Sequence, residues 1–169
     1  MRVSKRWYNA VANPNLWRDL IFDRKYDVKR RPGRYTLQKI AARASRSQRI
    51  TIAFFPINLN SDMFNTVLQA SRFVTHLHIR YDIERSWPVL PDRPWALAQL
   101  THLKLTKTGG ISGKFLASLL ERAKDTIQHL VIDDTRIMYI PSGWPSLPRL
   151  ESLRIRGSDY LTVALDLVS

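Results

Sequence analysis

A chain of 169 residues with 44% hydrophobic and 24% charged residues suits one globular domain of ordinary composition. Its apolar runs, such as "ITIAFF" (50–55) and "TVALDLV" (162–168), fall short of the ~20 residues of a membrane span; no signal-peptide core opens the chain, and the absence of cysteine excludes disulfides and thiolate metal sites, so a soluble protein of a reducing compartment, cytoplasm and/or nucleus, is predicted with no membrane partner. The net charge of +13 is local, since residues 1–49 hold 14 Lys and Arg against 3 Asp and Glu while residues 50–169 hold 13 against 11.

In chain order, "VSKRWYNAVANPNLWRDLIF" (3–22) comes first. Val3, Trp7 and Val11 fall at i, i+4 and i+8 on one helical face, the Asn-Pro-Asn break follows, and Leu16, Trp17 and Leu20 are placed to pack beneath. Each buried Trp there contributes on the order of 4 to 6 kcal/mol of apolar burial. "RKYDVKRRPGRY" (24–35) is the densest basic stretch, and Pro32 and Gly33 break any helix through it. It reads as a solvated linker, residues 23–36, in preference to a nucleic-acid site over 24–49 in which Lys29, Arg30, Arg31 and Arg34 contact phosphates.

Three later segments carry helical periodicity. "TLQKIAARAS" (36–45) places Leu37, Ile40, Ala41 and Ala44 on one face; "SDMFNTVLQA" (61–70) places Met63, Phe64, Val67 and Leu68 behind a Ser61 cap; "SGKFLASLLERAK" (112–124) places Phe115, Leu116, Leu119 and Leu120 on one stripe after Ser112. Two further segments, "LPDRPWALAQL" (90–100) and "IPSGWPSLPRL" (140–150), carry prolines instead. They align at an offset of 50, matching Leu90 with Ile140, Pro91 with Pro141 and Leu97 with Leu147. Trp95 and Trp144 are predicted to close the ends of these loops, while Trp87 fits equally a partner anchor or a structural plug.

Between these segments the chain repeats itself. "VTHLHIRYD" (74–82), "LTHLKLTKT" (100–108), "IQHLVIDDT" (127–135) and "LESLRIRGS" (150–158) share apolar-x-x-Leu-x-apolar, and "SQRITIAFF" (47–55) and "WRDLIF" (17–22) keep the inner positions. The repeat centres are Leu20, Ile50, Leu77, Leu103, Leu130 and Leu153. Alternation along a strand turns these residues inward and their neighbours outward, in columns across the sheet. One column runs Arg49, His76, His102, His129, Ser152, and the next Thr51, His78, Lys104, Val131, Arg154. A third runs Ala53, Arg80, Thr106, Asp133, Arg156, and a fourth Phe54, Tyr81, Lys107, Asp134, Gly157. The histidine column, at about 4.8 Å per strand, lacks the ligand set of a structural zinc site. A ladder of neutral, half-exposed, stacked rings is predicted instead; the competing reading is a charge-linked face, on which repulsion between imidazolium rings makes binding sensitive to pH between about 5 and 7.

The repeated pattern resembles the leucine-rich repeat, L-x-x-L-x-L-x-x-N/C at 20 to 29 residues per turn. The resemblance covers residues 47–158 and implies an α/β solenoid with a curved parallel sheet of about five to six coils. At the family's Asn or Cys position stand Asp82, Thr108, Thr135 and Ser158, which can bond turn backbone, and Phe55, which cannot. Residues 3–20 resemble the C-terminal half of an F-box, a Val-Ser-Lys-Arg-Trp helix followed by an Asn-Pro turn and Leu-Trp-Arg. Together the resemblances divide the chain into a partial F-box (1–22), the basic linker (23–36) and a leucine-rich-repeat solenoid (37–169). They imply a substrate-recognition module of an SCF-type cullin-RING ubiquitin ligase in ubiquitin-dependent protein degradation: the F-box remnant, Val3, Ser4, Trp7, Leu16 and Trp17, belongs to the surface that meets a Skp-family adaptor, and the repeats hold the protein substrate. The family's N-terminal Leu-Pro segment and first helices have no counterpart before Met1, and "DYLTVALDLVS" (159–169) opens another helix, so a chain truncated at both ends is expected. Adaptor binding is then expected only when the missing segment is restored. A repeat scaffold without a ligase link is the competing reading.

The partner-binding residues on the outward face are Arg49, His76, His78, Arg80, Tyr81, His102, Lys104, Lys107, His129, Asp133, Arg154 and Arg156. Their balance of charge favours an acidic or phosphorylated protein ligand. Catalytic, cofactor-binding and metal residues are not expected, and the chain does not read as an enzyme. "TGGISG" (108–113) lacks the Lys-Ser/Thr of a phosphate loop, no nucleophile elbow or His-x-x-x-His pair occurs, and Asp133 and Asp134, adjacent in the chain, face opposite ways or leave into a turn.

Overall fold

Strand formation follows from alternation of side-chain type. In "HLHIR" (76–80), "HLKLT" (102–106) and "HLVID" (129–133), Leu or Ile takes every second place, so one face is apolar and the other polar. The computed structural model describes residues 18–22, 34–53, 61–80, 97–107, 113–135 and 145–157. Within them, β1 (Asp19–Phe22), β2 (Arg49–Ile52), β3 (His76–Arg80), β4 (His102–Thr106), β5 (His129–Asp133) and β6 (Ser152–Arg156) form a six-stranded sheet in chain order. Every neighbouring pair is parallel. Parallel neighbours require a crossover, and helices lie in three of them: α1 (Arg34–Ala44) before β2, α2 (Ser61–Ala70) before β3 and α3 (Gly113–Ala123) before β5. The fold is α/β, with a strand order compatible with a solenoid.

The register is the one the spacing predicts. Leu20, Ile50, Leu77, Leu103, Leu130 and Leu153 pair across the sheet as one row, and Phe22, Ile52, Ile79, Leu105, Ile132 and Ile155 as a second. From Ile50 to Ile132 these side chains are at most 1% exposed. Val67 and Leu68 of α2 and Phe115, Leu116, Leu119 and Leu120 of α3 are buried in the same core, and α1 packs beside α2. Each fully buried Leu or Ile contributes about 1.5–3 kcal/mol against the entropy of ordering it. Leu153 and Ile155 are half-buried; among the described residues β6 stands last in the sheet and has a strand on one side only.

A repeated backbone junction holds the strand starts level. The carbonyl of Arg18 accepts from the N–H groups of both Gln48 and Arg49, that of Gln48 from Thr75 and His76, and that of Thr75 from Thr101 and His102. Thr101 does the same for Gln128 and His129, and Gln128 for Glu151 and Ser152. The described ends of the two proline-bearing segments turn alike, since the Leu100 N–H donates to the Leu97 carbonyl and the Leu150 N–H to the Leu147 carbonyl, both at 3.0 Å. Leu97 and Leu147 are buried, in keeping with their alignment at an offset of 50.

One sequence expectation needs correction. The fourth outward column does not continue the sheet, because Lys107, Asp134 and Gly157 have φ of 50°, 49° and 62°. A left-handed residue ends the pleat and the alternation with it; the Lys107 N–H then bonds the Asp133 carbonyl across the sheet. Lys107 is therefore an exposed residue just past β4. Helix α1 begins at Arg34, the residue directly after the helix-breaking Pro32 and Gly33. At the position following the turn, Thr135 is buried and its hydroxyl donates to the Asp133 carbonyl at 3.0 Å, the backbone role expected of that residue. Asp82, Thr108 and Ser158 lie outside the described residues, as do the segment 1–17, the basic stretch 24–33 and Trp87, Trp95 and Trp144.

Candidate functional site, the outward face of the sheet

Level strand starts turn outward residues into rows. Asp19, Arg49, His76, His102, His129 and Ser152 pair in succession across the whole sheet, and Ile21, Thr51, His78, Lys104, Val131 and Arg154 form the next row. Arg80, Thr106, Asp133 and Arg156 make the third. Ten of the twelve residues expected on this face are thus strand residues of one surface. Lys107 sits at its rim, and Tyr81 lies outside the described residues, as do Val3, Ser4, Trp7, Leu16 and Trp17 of the F-box resemblance.

The first row is closed at one end by an ion pair. Arg49 grips Asp19 with two prongs, Nε on Oδ1 and Nη2 donating to Oδ2 at 3.1 Å. Next come the imidazoles. His76 and His102 stack with ring centroids 4.0 Å apart and planes at 13°, and His102 and His129 lie 4.2 Å apart and tilted at 39°. The row ends near the carboxylate of Glu151, whose Oε2 is 3.9 Å from His129 Nε2. Threonines preceding two of the strands hold the rings: Thr75 Oγ1 is 2.8 Å from His76 Nδ1 and Thr101 Oγ1 is 2.8 Å from His102 Nδ1. In the second row, His78 Nε2 lies 2.8 Å from the hydroxyl of Thr106 on the adjacent strand.

Electrostatics on this face disfavour charged histidine. Burial lowers the pKa of His76, and Arg49, His129 and Arg18 lower it further against the pull of Asp19. His102 is lowered by burial and then by His76 and His129, against Glu151. His78 is lowered by burial, then by Lys104 and Arg80. Meanwhile Arg80, Lys104, Arg154 and Arg156 are exposed and make no ion pair within 4.0 Å among the described residues. The surface therefore offers fixed cations beside rings kept neutral, a combination suited to gripping anionic groups. Among the described residues no cluster of three or more His, Cys, Asp or Glu side chains could hold a metal ion, and no helix is long and apolar enough to cross a membrane.

Asp19, Thr75, Thr101 and Glu151 belong to this site without having been singled out from sequence. Extending the Arg49 column back by one repeat, to the residue before Leu20, reaches Asp19. The dipeptide Thr-His at 75–76 and 101–102 is the signal for the two hydroxyls. The chain matches no protein-family model, no curated protein and no solved structure.

Proposed function

We propose that this chain is a leucine-rich-repeat protein-binding module of the F-box class, which holds a protein substrate on the outward sheet face for an SCF-type ubiquitin ligase. The observation that carries the binding half of this reading is the set of outward rows aligned over six parallel strands, on which Arg80, Lys104, Arg154 and Arg156 make no ion pair within 4.0 Å among the described residues. A parallel face of this kind presents its outward side chains over a buried apolar core, and repeat proteins bind partners on such faces. The ligase half rests on the resemblance of residues 3–20. It is tested by co-expressing a Skp-family adaptor with the chain alone and with the chain joined to an F-box Leu-Pro segment and first helices ahead of Met1. Co-purification with the extended chain, lost on Trp7→Ala, is the expected outcome. A folded extended chain that leaves the adaptor behind removes the ligase assignment and leaves the interaction scaffold, whereas adaptor bound equally by the chain alone removes only the requirement for the added segment.

A further inference from the structure

We infer that the His76–His102–His129 row is a proton-coupled docking rail for an acidic, extended segment of a protein partner, which it grips more tightly as the pH falls from about 7.5 to about 6. The inference rests on the reading of this sheet face as the partner-binding surface.

Hydrogen-bond counting supplies the first step. The Thr75 hydroxyl has one proton and two neighbours, the Gln48 carbonyl at 3.2 Å and His76 Nδ1 at 2.8 Å. A carbonyl can only accept, so both bonds stand together only when the hydroxyl proton goes to Gln48 and Nδ1 supplies the proton of the other. The same holds at Thr101, whose Oγ1 donates to the Thr75 carbonyl at 3.1 Å and accepts from His102 Nδ1 at 2.8 Å. Both rings are thereby Nδ1–H tautomers with a basic Nε2. Protonation at Nε2 breaks no bond and turns each ring into an outward cation without reorientation.

The second step is what opposes that charge in the free protein. Rings 4.0 and 4.2 Å apart cannot be charged on adjacent rungs without repulsion. Arg18 and Arg49 press on His76 from the β1 and β2 side, while His78 and Lys104 stand in the neighbouring row. The acids nearby are few: Asp19 is engaged by Arg49, and Glu151 lies beside His129 at the far end. Burial adds to the penalty on His76 and His102. Carboxylates laid along the row reverse the balance, since they favour the charged rings, and Lys104 and Arg154 in the next row engage the same segment. By linkage, a ligand that prefers the charged rings binds with proton uptake, and acid strengthens its binding.

The test uses the full chain and a fluorescein-labelled octaglutamate peptide, whose side chains stay ionised at pH 6. Anisotropy titrations at pH 7.5 and 6.0 are expected to show about tenfold tighter binding at the lower pH, with uptake of about one proton from calorimetry in two buffers of different ionisation enthalpy. The basic stretch 24–35 attracts polyanions at either pH, so the increment with pH is the readout. In the double variant His76→Asn and His102→Asn, each side-chain amide still offers a donor to its threonine but lacks Nε2; whatever the affinity at pH 7.5, the increment with pH should fall by more than half, with His129 left to carry the remainder. On the unsubstituted chain, NMR titration should show the His76 and His102 pKa values rising when the peptide is added. An increment unchanged in the double variant, or histidine titrations indifferent to the peptide, overturns the inference. If the peptide binds independently of pH and Lys104→Glu with Arg154→Glu weakens it, the face remains a partner site and the proton coupling alone falls. No binding at either pH ends both the rail and the acidic-ligand assignment, whereas the adaptor experiment reports separately on the ligase role.

Discussion

A threonine hydroxyl carries a single proton, and at Thr75 and Thr101 that proton decides the state of the histidine beside it. Thr101 is half-buried, its hydroxyl donates to the Thr75 carbonyl and its Oγ1 lies 2.8 Å from His102 Nδ1, the contact inferred above to carry the ring proton. Thr101→Val keeps the branched shape that a strand neighbour prefers and deletes both bonds. The Thr75 carbonyl still receives the Thr101 and His102 N–H groups, so only a share of a full buried-acceptor penalty applies. The expected loss is about 1 kcal/mol in urea denaturation. Freed from its acceptor, His102 should redistribute between tautomers, visible as a shift of its two ring nitrogens toward each other in long-range 1H–15N spectra, with His78 unchanged. Retention of the Nδ1–H pattern in this variant would falsify the assignment of the hydroxyl as the tautomer-setting group.

At the scale of single elements, position in the sheet order sets the worth of a repeated residue. Leu103 on β4 and Leu153 on β6 occupy the same row, yet Leu103 is 1% exposed and Leu153 is half-buried. Leu103→Ala leaves a cavity between β3 and β5 and should cost about 3–4 kcal/mol, against about 1–2 kcal/mol for Leu153→Ala, read from urea midpoints at unchanged slope. Equal losses would mean that burial in this row does not follow sheet order. Much of this layout was legible in the sequence because its signals are periodic. The apolar-x-x-Leu-x-apolar pattern located all six centres, and side-chain alternation assigned the histidine row without any contact information. Where periodicity stops, legibility stops too. Nothing in the pattern of Lys107 or Asp134 shows that the backbone turns left-handed there, since neither is a glycine, and alternation was carried one residue too far. The hydroxyl bonds of Thr75 and Thr101 escaped for a related reason: they join residues adjacent in sequence, and a column records only residues adjacent in space.

For the whole molecule, the three histidines whose pKa values are lowered act in one direction. In the unfolded chain each titrates near 6.5, and in the folded chain His76, His78 and His102 titrate below it. Above about pH 7.5 all are neutral in both states and contribute nothing to pH dependence. As pH falls through 6.5 the unfolded chain binds protons first, so folding stability must decline, and the decline continues until the folded-state values are passed. A chain of net charge +13 also loses stability in acid through general self-repulsion, and salt separates the two causes. Burial is the largest cause of all three shifts; salt does not restore lost hydration, but at about 0.5 M it screens exposed charges beyond roughly 4–5 Å. The urea midpoint should therefore fall between pH 7.5 and 5.5, and most of the fall should persist in 0.5 M sodium chloride. Replacing His76, His78 and His102 together by glutamine should flatten it. A fall abolished by salt, or undiminished in the triple variant, would assign acid sensitivity to overall charge and remove the histidines from the account.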